Sequence, residues 1–122
     1  MNYKASAKIT VMGARKKLLG NQKPRVDIFK DGDPRIAELA IELMAEYGHE
    51  LLPWQRSTLM RWMALDENDK WANHENGLLV PRQNGKTDLA IDRIIGGMVF
   101  LGERLMFTAH STDTVEEIKH RV

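Results

Sequence analysis

The sequence predicts an α/β protein: a basic irregular arm, two helices, then the first two strand–helix units of a parallel sheet. Three observations predict it. Apolar residues recur at helical spacing from residue 34 to about residue 65. The short apolar run Leu78-Leu79-Val80 lies between Gly77 and Pro81, as a strand buried on both faces would. Beyond it the pattern alternates helix, strand, helix, and such alternation builds parallel sheets. The 122 residues thus divide into an arm (1–33), a helical lead-in (34–76) and an incomplete sheet core (77–122).

The arm has no sustained period, being interrupted by Gly13, Gly20, Asn21, Pro24 and Gly32. Asp33-Pro34 opens the first helix: Asp33 can accept from an orphan N–H, and proline suits the first turn. Ile36, Leu39, Ala40, Leu43 and Tyr47 follow at helical spacing, and Gly48 can end the helix in the left-handed conformation. A second helix is predicted from Pro53 to about Leu65, with Trp54, Leu59, Trp62 and Met63 apolar, followed by a polar loop over 66–77 that contains Trp71. Strand 78–80 precedes a helix over 88–101 that is apolar nearly all round and so must be covered on most sides. A second strand is predicted over 104–109. Ser111 or Thr112 then caps a last helix, with Asp113, Glu116 and Glu117 near its positive end and Val115, Ile118 and Val122 facing inward.

Composition narrows the class. The chain is 43% hydrophobic and 29% charged, as ordinary globular proteins are. No apolar run approaches the roughly 20 residues that span a bilayer, and no apolar stretch follows the N-terminal lysines as in a secretory signal. Without cysteine there are no disulfides or thiolate metal sites, which fits a reducing compartment. The net charge of +1 conceals an asymmetry: residues 1–30 hold eight Lys/Arg against Asp27 alone, while residues 31–122 hold ten Lys/Arg against sixteen acids. A basic arm of this kind either meets an acidic partner such as nucleic acid or is a solvated leader.

Residues 80–87, Val-Pro-Arg-Gln-Asn-Gly-Lys-Thr, fit the phosphate-loop pattern G-x-x-x-x-G-K-[ST] except at the first glycine. Gly85 lets the backbone curl so that successive N–H groups, with those of Gln83 and Asn84, point at phosphate oxygens. Lys86 supplies positive charge, and the Thr87 hydroxyl can ligate Mg²⁺. The bland alternative is a Gly-Lys-Thr turn. The predicted strand before the loop and helix after it favour phosphate binding.

At Leu79 to Thr87 the sequence resembles the large subunit of tailed-phage terminases, the ATPases that drive DNA into a capsid. That family carries Pro-Arg-x-x-Gly-Lys-[Ser/Thr] after a strand and commonly lacks the first glycine. Leu52-Pro53-Trp54-Gln55 resembles the family's adenine-recognition element, and Lys70-Trp71-Ala72 its lead-in to the loop strand. Phe107-Thr108-Ala109-His110 resembles its next strand motif, where Gln is more usual than His110, and Lys23-Pro24-Arg25-Val26 weakly resembles its basic arm. The resemblance covers about residues 50–122. It implies a P-loop ATPase core, ATP and Mg²⁺ as ligands, and double-stranded DNA, a small terminase subunit and the portal as partners in the host cytoplasm. By the same resemblance Gln55 would bond the adenine edge with Trp54 nearby, and Arg82 would sense or stabilise the γ-phosphate.

Hydrolysis also needs an acid on Mg²⁺ and a carboxylate that positions water. No apolar run after the loop ends in Asp-Glu. Asp66-Glu67 follows such a run upstream, but there it closes a predicted helix. Asp88, Asp92, Asp113, Glu116 and Glu117 are expected in exposed or capping roles, and the four histidines as surface or packing residues. No nuclease-type acid cluster is present. The chain is therefore expected to be the ATP-binding front part of such a motor, truncated and without turnover of its own. Two other readings stand beside it: a segment of another P-loop enzyme, such as a helicase or nucleotide kinase, and a non-enzymatic module whose arm binds nucleic acid.

Overall fold

The computed structural model describes residues 20–81, 85–109 and 111–121. These form four helices: α1 (Arg35–Glu46), α2 (Pro53–Trp62), α3 (Lys86–Leu101) and α4 (Thr112–Arg121). The local signals behind them act as the sequence suggests. Asp33 Oδ1 accepts from the Arg35 N–H at 3.0 Å and so covers an orphan donor ahead of α1. Gly48 is left-handed at φ 79°, just beyond α1. Pro53 sits in the first turn of α2. Before α4, Ser111 Oγ accepts from the Thr114 N–H.

The predicted α/β class is wrong: among the described residues there is no strand and no sheet. The segments 78–81 and 102–109 are not helical, but no backbone ladder joins them to each other or to anything else. Leu79 is 99% exposed and Met106 91%, whereas Leu78 packs against the core. A short apolar run reports which residues seek cover, but a strand also needs neighbours for its N–H and C=O groups, and pairing is not encoded locally. The predicted P-loop core, a parallel sheet with flanking helices, is absent from the described residues. The bridges that do form are isolated and lie elsewhere, pairing Leu65 with Asp33 and with Trp71. Asp33 and Leu65 exchange N–H···O bonds of 2.8 and 3.0 Å, which fastens the end of the arm to the exit of α2. Gly32 is required beside this bridge, because a Cβ there would stand 2.6 Å from the Leu65 carbonyl oxygen.

The core is helical. Ala37 and Ala40 of α1, Leu59 of α2 and Leu89 of α3 are buried together with Leu51 and Met63. The buried residues of α1 are Ala37 and Ala40; Leu39 and Tyr47, which share the helical spacing of apolar residues, are exposed. Helix α3 touches all three other helices. It comes close to α1 at Gly96, where a Cβ would lie 2.9 Å from Ala40 Cβ and 3.1 Å from Met63 Cε. Among the described helices α4 packs on α3 alone, and its Ile118 is buried. No helix among the described residues is long and apolar enough to cross a membrane.

Candidate functional site

Helix α3 begins where the loop motif ends. Gly85 is its N-cap in the left-handed conformation (φ 82°, ψ 20°), and no side chain caps the first turn. Among the described residues no side chain bonds the N–H groups of that turn, and Asp88 brings one acid to the positive end of the helix. Lys86 is exposed and Thr87 half-buried, as the first two residues of α3. Arg82, Gln83 and Asn84 lie outside the described residues.

The upstream motif, 30 residues earlier in the chain, meets this junction. Gln55 is 4% exposed on the first turn of α2. Its Oε1 accepts from the Leu52 N–H at 2.8 Å, satisfying an orphan donor at the start of its own helix. Its Nε2 donates to the Gly85 carbonyl at 2.7 Å. That carbonyl also accepts the first helical bond of α3, from the Leu89 N–H at 3.3 Å. Glycine is thus demanded twice at position 85: by its positive φ, and because a Cβ would lie 2.6 Å from Gln55 Nε2. Trp54 is half-buried against the core, and its N–H donates to Gln22 Oε1 at 3.5 Å.

Beside the junction lies a cleft of about 600 Å³ whose walls include Gln22, Glu50, Trp54, Gln55, Gly85 and Asp88. Its size is in the range of small-molecule sites. Among the described residues its lining carries two carboxylates, Glu50 and Asp88, and no Lys or Arg. Asp88 is ion-paired with Arg121 of α4. A second cleft, of about 530 Å³ between the arm and α2, contains none of the loop residues.

No family model matches the chain, and neither a curated protein nor a solved structure similar to it was found.

One residue near the junction is not where the sequence suggests. Asp92, expected at the surface or in a capping role, is fully buried. His49, expected as a surface or packing residue, holds its Nε2 3.4 Å from Asp92 Oδ1. Neither Asp92 oxygen has a hydrogen-bond partner. Burial pushes the Asp92 carboxyl up to about 6, the nearby charge of Asp88 adds to the rise, and His49 and Arg121 oppose it. A signal was available: Asp92 follows Asp88 by one turn in a helix otherwise apolar on most sides, so one of the two acids had to be covered. Asp66 has a simpler role. Its Oδ1 accepts the N–H groups of Asn68 (2.8 Å) and Lys70 (3.0 Å), and those bonds hold its carboxyl below the usual range. It closes a turn.

No group of three or more His, Asp or Glu side chains converges as a metal site among the described residues. A Mg²⁺ ion here would be held through the nucleotide, with Thr87 offering its hydroxyl; few protein ligands are usual for Mg²⁺ bound with phosphates.

Proposed function

We propose that the Gly85–α3 junction is the phosphate end of a nucleotide site, and that the chain is the ATP-binding segment of a DNA-packaging motor of the terminase large-subunit type. One observation carries the reading: two sequence-distant motifs that resemble that family, Trp54-Gln55 and Gly85-Lys86-Thr87, come together at an uncapped helix N-terminus beside a cleft of nucleotide size. The support comes from this loop–helix junction and not from any sheet. Lys86 would supply positive charge beside the carboxylates of the described lining. Glu50 and Asp88 disfavour a bare triphosphate, so the fitting ligand is a Mg²⁺–ATP complex. Mg²⁺ supplies charge neutralisation of the phosphates there. DNA, a small terminase subunit and the portal, met in the host cytoplasm, belong to the same proposal.

The test is titration calorimetry of Mg²⁺–ATP against the chain and its Lys86→Ala variant. Lys86 is exposed, so its truncation leaves packing unchanged and the melting temperature should not move. Affinity should fall about tenfold or more, the scale of a charge-assisted phosphate contact. Chelating Mg²⁺ should weaken ATP binding by the parent chain as well. Parental affinity in Lys86→Ala would remove the reading.

A further inference from the structure

We infer that Gln55 is a positioning residue that holds the phosphate loop's last glycine in place, and not a reader of the nucleotide base. The inference rests on the nucleotide reading of the junction. It follows from how the amide is used. Oε1 is committed to the Leu52 N–H and Nε2 to the Gly85 carbonyl, in a side chain that is 4% exposed. To meet a base edge, the amide would have to leave both partners, uncovering a helix-start N–H and a part-buried carbonyl together. The contact also has an architectural sense. The Gly85 carbonyl accepts the Leu89 N–H, so its orientation sets where the axis of α3 begins. Gln55 fixes that carbonyl from the start of α2, and so fixes the direction of the uncapped N–H groups on α3. The fit is mutual, because any side chain at position 85 would strike Gln55 Nε2. Gln55 therefore acts on phosphate through Gly85, and its loss is felt equally by every ligand that carries the same phosphates.

The experiment uses the full chain and two variants. Gln55→Met keeps the length and removes both polar atoms. Gln55→Glu keeps an oxygen that can accept from Leu52, but its new carboxyl can donate to Gly85 only when protonated. The first readout needs no ligand: hydrogen exchange at the Leu89 amide should quicken about threefold to tenfold in Gln55→Met, the scale of one net hydrogen bond. The second is calorimetry with Mg²⁺–ATP, Mg²⁺–GTP and Mg²⁺–tripolyphosphate at pH 8. All three should weaken by a common factor of about threefold to tenfold in both variants. At pH 5, Gln55→Glu should recover relative to the parent at that pH, since burial raises a carboxyl's pKa and restores the donor. Gln55→Met should not recover, and a merely structural defect would not show this difference. A loss confined to ATP overturns the inference, since Gln55 would then read the base. Unchanged exchange at Leu89 overturns it as well. If the parent binds none of the three ligands, the nucleotide reading fails, and the exchange at Leu89 still decides whether Gln55 holds the glycine.

Discussion

Asp92 and Arg93 are consecutive residues of α3 that meet opposite surroundings. Arg93, turned toward Trp71 in the loop over 66–77, donates from Nη1 to Glu103 Oε2 at 2.7 Å. Its guanidinium lies 4.7 Å from the ring centroid of Trp71. Trp71 Nε1 donates to the other Glu103 oxygen at 2.9 Å, so the carboxylate is satisfied on both sides. Gly97 makes room for the pair, since a Cβ there would meet both Glu103 and Arg93. Burial tends to raise the Glu103 carboxyl, but the Arg93 hydrogen bond and charge and the Trp71 N–H outweigh it and hold it low. Asp92 is fully buried, has His49 Nε2 at 3.4 Å with the charges of Asp88 and Arg121 nearby, and has no hydrogen-bond partner for either oxygen. The comparison shows what a carboxylate needs in a small helical core. A partner with matching geometry makes Glu103 a brace, whereas charge proximity alone leaves Asp92 a liability.

The largest expected effect comes from breaking the satisfied side. Glu103→Ala leaves the Trp71 N–H and the Arg93 guanidinium without their acceptor in a site where both charged side chains are 21% exposed. The expected loss is about 2 kcal/mol, as for hydrogen bonds to charged groups, read as a lower urea midpoint. The pH dependence has a definite sign. The folded carboxyl lies below its ordinary value of 4.5, so the unfolded chain binds more protons there. The stabilisation is full above 4.5 and is lost as pH falls through the folded value. Parental stability in Glu103→Ala would mean that the brace carries no energy.

Relieving the unsatisfied side has the opposite sign and a smaller size. The folded Asp92 carboxyl is raised from 3.8 to about 6, so the folded chain binds more protons between those values. Its stability therefore falls as pH rises through that window. Asp92→Asn removes the buried charge and should stabilise the chain at pH 8 by roughly 1 kcal/mol, the scale of a partly compensated buried polar group. At pH 4, where Asp92 is largely protonated in the fold, the variant and parent should melt together. A variant less stable than the parent at pH 8 would show that the His49–Asp92 pair is net favourable.

The contrast between the two acids also marks what the sequence could reveal. Helix starts and ends were legible because Asp33, Gly48, Pro53 and Ser111 act on backbone groups a few residues away. The strands over 78–80 and 104–109 were not, because a strand is defined by partners distant in sequence, and neither Leu79 nor Met106 finds any. Of the candidate site, the motifs named Gln55 and Gly85 separately. Only the fold brings them together and shows that the Gln55 amide is already engaged. Asp92 was misplaced for a related reason: helical spacing puts it on the face of Asp88, and which of the two is covered depends on α1 and α4. The contact between Trp71 and Glu103 carried no signal, the two being 32 residues apart in the chain.

The finest test shifts Asp92 without touching it. Asp88 lies one turn above on α3, and its charge contributes to the raised Asp92 carboxyl, while Arg121 pulls the other way. Asp88 engages Arg121, and Arg121 also approaches Glu117 at 3.9 Å. Asp88→Asn removes a like charge near Asp92 and releases Arg121 from its partner, and both changes favour ionised Asp92. The carboxyl-carbon NMR titration of Asp92 should therefore show a lower midpoint than in the parent. Stability should hardly change, because the Arg121–Asp88 pair is more than a third exposed on both sides, and such pairs contribute within about 1 kcal/mol. The relief felt by Asp92 at pH 8 offsets part of even that. An unmoved midpoint would assign the whole rise to burial, and the electrostatic link from α4 through Asp88 to the core of α3 would be lost. A lower midpoint with unchanged melting would show that the charges of Asp88 and Arg121, near the start of α3, set part of the potential at the buried Asp92.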